Sequence, residues 1–384
     1  MKISIISHNL SGNNLVRVYA IGNVLKRIYD VEILGVIFGK GVFEPYKDEF
    51  DYKGITLRRT GGKFSFKKTA VFPGFSRILK QLVEMIDGDV IYAMKPMLSS
   101  LGVGIMGKFR KGIPLVLDIE DFDAWPFQQY GFLEKLRELR TIHYPTNEWY
   151  PMFMEKLVAL ADEITVGSNY LQNKFGGTKL PHGTDCFFFD PSKYDSGAIR
   201  HEWKLDDKKV ILFAGTPRPH KGLENLFTAI RTIDSASIKL VFAGSQNEYW
   251  KKLFKNVVSD SIISIGSVPH SNMPEVLGMA DLIVIPQKKN LFAEAQIPGK
   301  IFEAMAMAKP IIATNVSDLK EILDGCGWTI PPEDPAKLAQ IIKYVFDNPL
   351  TAKSMGRNAR GVCIERYSWD AMEEILKQIF EKYE

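Results

Sequence analysis

Val210-Ile-Leu-Phe-Ala-Gly-Thr-Pro-Arg-Pro-His-Lys-Gly-Leu-Glu-Asn-Leu-Phe227 passes through three patterns in one short stretch. Residues 210–214 form a continuous apolar run, the mark of a strand buried on both faces. Residues 215–222 hold Gly215, Pro217, Pro219 and Gly222, which break helix and strand alike. From Leu223 the apolar residues Leu223, Leu226 and Phe227 fall at helical spacing. Strand, glycine-bounded loop and helix in that order make the βα unit of parallel-sheet α/β proteins.

The same alternation extends outward in both directions. Downstream, strands are expected at 239–243, 262–265, 282–285, 310–313 and 328–330, with helices at 222–233, 273–279, 301–307, 335–347 and 369–383. Upstream, strands are expected at 3–7, 31–36, 90–94, 115–119 and 163–167, with helices at 15–29, 76–86, 132–140 and 152–160. Between the halves, the polar stretch through 191–209 has no apolar period and reads as a linker. A glycine-bounded basic segment, 61–74, reads as an exposed loop.

A chain of 384 residues fits two such domains. With 46% hydrophobic and 24% charged residues it is globular, which excludes disordered and collagen-like classes. Cys186, Cys326 and Cys363 form no CxxC pair, so a reducing compartment and no structural zinc are expected. The six histidines show no metal-ligand spacing, and no metal and no cofactor are expected. A net charge of +4 is too small to argue for nucleic acid, but suits an anionic small ligand or a membrane surface. The first residues lack a signal-peptide core, and no run reaches the roughly 18–20 apolar residues that span a bilayer. A cytoplasmic protein, peripheral at the inner face of the membrane at most, is expected.

In open parallel sheets, ligands sit outside the carboxyl ends of the strands. Four segments follow strand ends. In the loop 215–222, Gly215, Thr216, Arg218 and Lys221 precede a helix N-terminus, where amides and cations favour an anion. It reads equally as a solvated loop with incidental charges. In 293–306, the turn Ile297-Pro298-Gly299 opens a helix bearing Lys300 and Glu303. An ionised carboxylate there can accept from vicinal ribose hydroxyls, or simply favour the helix dipole. The turn 7–14 is small and polar, either a close approach to a ligand or an N-cap by Ser11 or Asn13. At 118–123, Asp118, Glu120, Asp121 and Asp123 gather four carboxylates, fit to orient hydroxyls or hold a divalent cation, or to form a solvated loop.

Two further patterns point elsewhere. Gly102-Val-Gly-Ile-Met-Gly107 fits GxGxxG, but the dinucleotide fingerprint must directly follow a strand and open a helix. These glycines sit several residues past the strand at 90–94, so close helix packing is expected. The stretches 63–68 (KFSFKK) and 108–111 (KFRK) mix cations with aromatics, as solvated loops do, and as suits a membrane surface holding a lipid-linked acceptor.

In their order, AGTPRPHKGLENL, FAGS, SIGSVPHSNMPEVLGMADLIVIP, IPGKIFEAMAMAKPIIATNVSDLKEIL, PHGTDCFFFDP and RYSWDAMEEIL resemble the retaining GT-B glycosyltransferases of family 4, glycosyl transferases group 1. The resemblance covers most of 160–384 and is weaker over 1–150. It implies an α/β GT-B fold, two Rossmann-like domains facing across a cleft. These are an acceptor-side domain at 1–190, the linker 191–209, a nucleotide-sugar domain at 210–366, and a helix at 367–384 crossing back. By resemblance, Lys221 binds the donor diphosphate with Arg218, and Glu303 holds the ribose. The peptide groups of Ile297, Pro298 and Gly299 meet phosphate and sugar, Val268-Pro269 lies where the base is held, and Gly12 and Asn13 fall in the glycine-rich turn.

Thr216 stands where the family often has Arg. Ala295 stands where its first paired glutamate belongs, flanked by Glu294 and Gln296, which are the candidates for the sugar hydroxyls. The family's first-domain histidine is not evident, and Asp121 is the candidate replacement. The implied reaction is metal-independent sugar transfer from a nucleotide sugar, by family frequency a UDP-sugar such as UDP-glucose, to a glycan or lipid-linked acceptor in polysaccharide or cell-envelope assembly. A nucleotide-sugar 2-epimerase of the same form and a non-catalytic sugar-nucleotide binder are the alternatives.

Overall fold

The computed structural model describes residues 1–38, 41–43, 46–48, 50–57, 71–255 and 260–384. It divides into two units: residues 1–181 with 372–384, and residues 182–371. The basic aromatic stretch 63–68 lies outside the described residues.

The first unit holds β1 (Lys2–Ser7), β2 (Asp30–Phe38), β3 (Tyr52–Leu57), β4 (Val90–Met94), β5 (Leu115–Ile119), β6 (Glu163–Val166) and β7 (Thr178–Lys179). They form one sheet in the order β3-β2-β1-β4-β5-β6-β7, with every pairing parallel. β1 is an inner strand, Ile3 opposite Val31 on one side and Val90 on the other. Its Ile3, Ile5 and Ile6 are buried, as a strand covered on both faces requires. Helix Phe75–Met85 buries Phe75, Ile78, Leu79, Leu82 and Val83, an apolar stripe along one face.

Two edge strands, β3 and β7, were not expected. β3 reads YKGITL, where Lys53 and Gly54 interrupt the apolar run. A Cβ on Gly54 would lie 2.5 Å from Ile37 Cδ1 on β2, so a side chain there would have to displace that methyl group.

The second unit holds β8 (Lys209–Ala214), β9 (Ile238–Ala243), β10 (Ile262–Gly266), β11 (Leu282–Ile285), β12 (Ile311–Thr314) and β13 (Trp328–Ile330). Their order is β10-β9-β8-β11-β12-β13, again all parallel. Successive side chains leave a strand on opposite faces. Val210 and Leu212 accordingly enter one core, while Ile211 and Phe213 enter the other.

The stretch 191–209 does more than link. Leu205 is buried in the second unit's core, with Tyr194, Ile199 and Trp203 packed against it, so the division falls earlier, between Pro181 and His182. From Met372 onward the last helix, Trp369–Phe380, belongs with the first unit. Phe380 meets the rings of Tyr29 and Tyr92, and Glu373 pairs with Arg27 at 3.0 Å.

Two of the three GxGxxG glycines are packing residues, while a Cβ on Gly102 would meet nothing nearer than 3.6 Å. Gly104 and Gly107 lie on helix Val103–Lys111. A Cβ at each would stand 2.6 Å from Leu115 Cδ1 and 2.7 Å from Ile91 Cδ1, on β5 and β4. No helix among the described residues is long and apolar enough to cross a membrane.

Candidate functional site

In the second unit, the loop after β8 is shaped by two glycines. Gly215, at φ +147°, donates its N–H to the Ala243 carbonyl at 2.8 Å. Gly222, at φ +66°, ends a turn formed by Pro219–Lys221 and opens helix Leu223–Ile233. A Cβ on Gly222 would lie 1.9 Å from the Pro286 carbonyl, so only glycine fits beside β11. No side chain caps this helix, which leaves its first amides to meet an anion. Glu224 in the first turn is tied to the Tyr249 hydroxyl and lies 3.3 Å from Lys288 Nζ, which blunts its repulsion of one. Arg218 is exposed on this loop, and Thr216 precedes Pro217, whose carbonyl accepts from Asn247 Nδ2 at 2.9 Å.

The segment after β11 closes against that loop. Lys288 N–H donates to the His220 carbonyl at 2.9 Å. Lys221 Nζ donates to Gln296 Oε1 at 3.3 Å, joining two of the segments singled out by sequence. Asn290 caps helix Leu291–Ala295 through Ala293 N–H at 2.8 Å. Glu294 Oε2 accepts the Ser317 N–H at 2.9 Å and so holds the loop after β12. Of the two residues flanking Ala295, Gln296 therefore meets Lys221, while Glu294 spends an oxygen on the backbone.

Ile297 is buried in the core, and Pro298 and Gly299 turn the chain into helix Lys300–Ala306. Lys300 Nζ lies 3.0 and 2.8 Å from the two oxygens of Glu303. Gly299 lies against His182, whose Cδ2 would stand 2.7 Å from a Cβ there. After β10, Val268 packs partly buried against the core, and Pro269 precedes His270, which stacks on Phe188 at 5.3 Å. Burial pulls the His270 pKa down, against the pull of Glu303.

Sequence reasoning missed His182, His270 and Gln287 here. Gln287 follows β11 and is fully buried. Its backbone carbonyl accepts from Thr314 Oγ1 at 2.7 Å, yet its side-chain Nε2 and Oε1 make no hydrogen bond among the described residues. A buried amide without a protein partner costs stability unless a water or a ligand meets it.

A second polar centre lies in the first unit, at the ends of β1, β4 and β5. Arg17 grips Asp118 with Nε at 2.6 Å and Nη2 at 2.7 Å, both side chains buried. Thr165 Oγ1 donates to Asp118 Oδ1 at 2.7 Å, and Arg17 Nη2 also donates to the Leu180 carbonyl at 3.0 Å. Lys95, at φ +73° just past β4, reaches the carboxylates of Asp121, Asp123 (3.4 Å) and Glu120 (3.5 Å). Burial opposes the Lys95 charge, but Asp121, Asp123 and Glu120 outweigh it and hold its pKa above the ordinary value. Burial pushes Glu120 up to about 8 and Asp123 up to about 6. Burial, helped by Lys95, pulls His8 down to about 3.

The lysine ammonium thus sits among the carboxylates for which a divalent cation was one reading. No group of three or more His, Cys, Asp or Glu arranged for a metal occurs among the described residues. Asp121, the candidate histidine replacement, is engaged by Lys95. In the first turn, Ser11 N–H donates to Asn9 Oδ1 at 2.8 Å, and Asn14 Nδ2 meets His8 Nε2 at 3.0 Å. Gly12 and Asn13 accept through their carbonyls from Leu15 and Val16. Neither Ser11 nor Asn13 caps the helix, whose N-cap position is Asn14 and carries no side-chain cap bond. Lys95, Arg17 and His8 escaped the sequence reading.

Residues 195–362 match the family model described as glycosyl transferases group 1. An uncharacterized glycosyltransferase of Methanocaldococcus jannaschii is 23% identical over 368 residues, 94% of this chain and 92% of that protein. An alpha-D-kanosaminyltransferase of Streptomyces kanamyceticus is 24% identical over 189 residues, 47% of this chain and 48% of its own length. Among solved structures, Anabaena HepE in complex with UDP-glucose superposes with TM-score 0.75 at 17% identity, over 100% of both chains. Together with the two parallel sheets, that likeness gives the fold as GT-B.

Proposed function

The chain is a glycosyltransferase carrying a group 1 domain at residues 195–362, and from that premise we propose a retaining enzyme that draws its sugar from a UDP-sugar such as UDP-glucose. The acceptor is a glycan or a lipid-linked glycan in polysaccharide or cell-envelope assembly, met at a membrane surface. The observation that carries the donor reading is the Lys221–Gln296 contact at 3.3 Å. It brings the phosphate loop onto the segment that leads through Ile297, Pro298 and Gly299 to Glu303.

In this reading the diphosphate lies at the N-terminus of helix Leu223–Ile233, with Lys221 and Arg218 countering its charge. As the sugar–phosphate bond breaks, charge grows on the departing oxygen, and these fixed cations stabilise the transition state more than the ground state. Glu303 exchanges the Lys300 ammonium for the two ribose hydroxyls, accepting from both. The amides of Ile297 and Gly299 and the turn Val268-Pro269 contact sugar phosphate and base through backbone. Gly215 leaves room for close backbone approach beside Thr216, and Gln296 serves the sugar hydroxyls. No metal is required, because the cations on the loop do the work of one.

A thermal-shift screen of UDP-, GDP- and ADP-sugars tests this directly, since a ligand that binds only the native state raises its stability by mass action. UDP-sugars should raise the melting point most, and radiolabelled sugar should then appear in an acceptor fraction. Epimerised UDP-sugar formed without acceptor would instead make the chain an epimerase and overturn transfer.

A further inference from the structure

The three cysteines stand far apart in the sequence, and no spacing pairs them. The fold of the second unit brings two of them together. Cys186 lies in the segment 182–190 that opens this unit, and Cys363 lies near the end of helix Pro349–Arg366. Their sulfurs are 3.8 Å apart, although 177 residues separate them along the chain. A disulfide of about 2.05 Å is therefore reached by a shift of about 1.8 Å, shared between two side chains.

The backbone is clamped on either side of Cys186. Before it, Thr184 N–H donates to the Tyr367 carbonyl at 2.9 Å, and Trp369 N–H donates to the Thr184 carbonyl at 3.0 Å. After it, Arg360 donates to the Phe189 carbonyl at 2.9 Å and lies 3.1 Å from Asp190. The segment is thus tied to the stretch around Cys363 at two points, and the fold itself holds the sulfurs within reach.

The two thiols differ in their surroundings. Cys363 is fully buried, and its S–H donates to the Phe302 carbonyl at 3.4 Å. Cys186 is half-buried, so a small solute reaches it first. Once Cys186 ionises, Cys363 can turn its S–H to the thiolate. That bond, with the nearby Arg360 charge, holds the Cys186 pKa below its ordinary value. The same contact, together with burial, pushes the Cys363 thiol up. Cys326 is buried and turned to the Ile322 carbonyl at 3.4 Å.

We propose that Cys186 and Cys363 form an oxidation site, closed to a disulfide by a hydroperoxide and reopened by a dithiol. The Cys186 thiolate attacks one peroxide oxygen, the O–O bond breaks, and a sulfenic acid forms as hydroxide leaves. The Cys363 sulfur then attacks the Cys186 sulfur. The S–O bond breaks, and the departing oxygen takes the Cys363 proton and leaves as water. In sum, two thiols give up two electrons and two protons, and hydrogen peroxide becomes two molecules of water. In a reducing compartment such a bond is transient, which makes the pair a redox sensor rather than a structural staple. While closed, it ties 182–190 covalently to helix Pro349–Arg366 and takes the Cys363 S–H off the Phe302 carbonyl.

The test is thiol counting on the full chain. The reduced protein is treated with hydrogen peroxide, denatured, alkylated with N-ethylmaleimide and weighed intact, and its peptides are mapped without reduction. The wild type should fall from three alkylatable thiols to one, yield a peptide joining Cys186 to Cys363, and recover all three thiols with dithiothreitol. Cys326→Ala should form the same link. Cys186→Ser should keep both of its thiols under the same treatment. Cys363→Ala should stop at a sulfenic acid on Cys186 that dimedone traps. Thermal melts of the reduced proteins check folding, and Cys186→Ser, at a half-buried position, carries the test if Cys363→Ala does not fold. A wild type that keeps three thiols would overturn the proposal. So would a link that involves Cys326 or joins two chains, or loss of thiols from Cys186→Ser at the wild-type rate.

Discussion

Lys221 and Gln296 meet at 3.3 Å across the loops that follow β8 and β11. The contact is long for an ammonium–amide bond, so it is cheap to exchange for a phosphate oxygen. Lys221→Ala should therefore leave the fold intact and cut kcat/KM by about 10²–10³, the usual loss when one donor to a developing oxyanion is removed. Steady-state transfer assays check this, with circular dichroism as the folding control. Turnover close to wild type would remove Lys221 from the reaction.

Glu303 is bound by Lys300 at 2.8 and 3.0 Å, and the ribose must compete with that pair. Glu303→Ala should weaken donor binding by about 1.5–3 kcal/mol, the worth of hydrogen bonds to a charged group. Calorimetric titration with UDP should show the same loss as titration with the UDP-sugar, because the missing contact lies on the nucleotide. A loss confined to the sugar nucleotide would move Glu303 to the sugar.

Gln287 separates a structural from a ligand-binding role in one variant. Leucine has nearly the same volume and carries no polar atoms to strand. Gln287→Leu should raise the stability of the free protein by about 1–3 kcal/mol, the cost of an unsatisfied buried amide. It should also shrink the thermal shift given by the nucleotide sugar. Greater stability with an undiminished ligand shift would mean that Gln287 meets no ligand.

The second unit was legible because its inner strands, such as β11 and β12, are buried on both faces and read as unbroken apolar runs. Its longest helix was not. Pro349–Arg366 buries Ala352, Gly356, Ala359 and Cys363, small residues that leave no hydrophobic period. Gly356 is required, since a Cβ there would lie 2.1 Å from the Ala308 carbonyl. The same limit applied to the sites. Lys221 and Glu303 drew notice by following strand ends, whereas Glu294 and Gln296 drew it only through the resemblance, as the flanks of Ala295. Arg17 did not, because it sits inside an apolar helix and its partner Asp118 is far away in the chain. Lys95 showed nothing unusual until the fold brought Glu120, Asp121 and Asp123 around it.

That Arg17–Asp118 pair carries a stability prediction of its own. Both groups are buried and the bond is bidentate. Arg17→Met would leave the Asp118 carboxyl buried without its partner, a loss that costs about 3–5 kcal/mol in buried pairs. Urea denaturation should show a midpoint shift of that size. Pairing Arg17→Met with Asp118→Leu should recover much of the loss. No recovery in the double variant would mean that the arginine contributes by packing rather than charge.

Glu120 gives the protein a pH dependence of definite sign. In the unfolded chain its carboxyl ionises near the ordinary 4.5, whereas burial raises it to about 8 in the fold, against the pull of Lys95. Between those values the native state holds a proton that the unfolded state has lost, so this contribution falls as pH rises. Asp123, raised from 3.8 to about 6, acts with the same sign in a lower window. His8, lowered from 6.5 to about 3, acts in the opposite sense: its contribution is lost as pH falls through that range and is complete above it. Above about pH 6.5, Glu120 is the one of these three that still titrates. The wild type should therefore lose melting temperature from pH 6.5 to 8, by about 2–4 °C for each kcal/mol. Glu120→Gln, which fixes the neutral form, should flatten that slope. Equal slopes in the two proteins would mean that Lys95 already keeps Glu120 ionised throughout, and that attraction outweighs burial at this position.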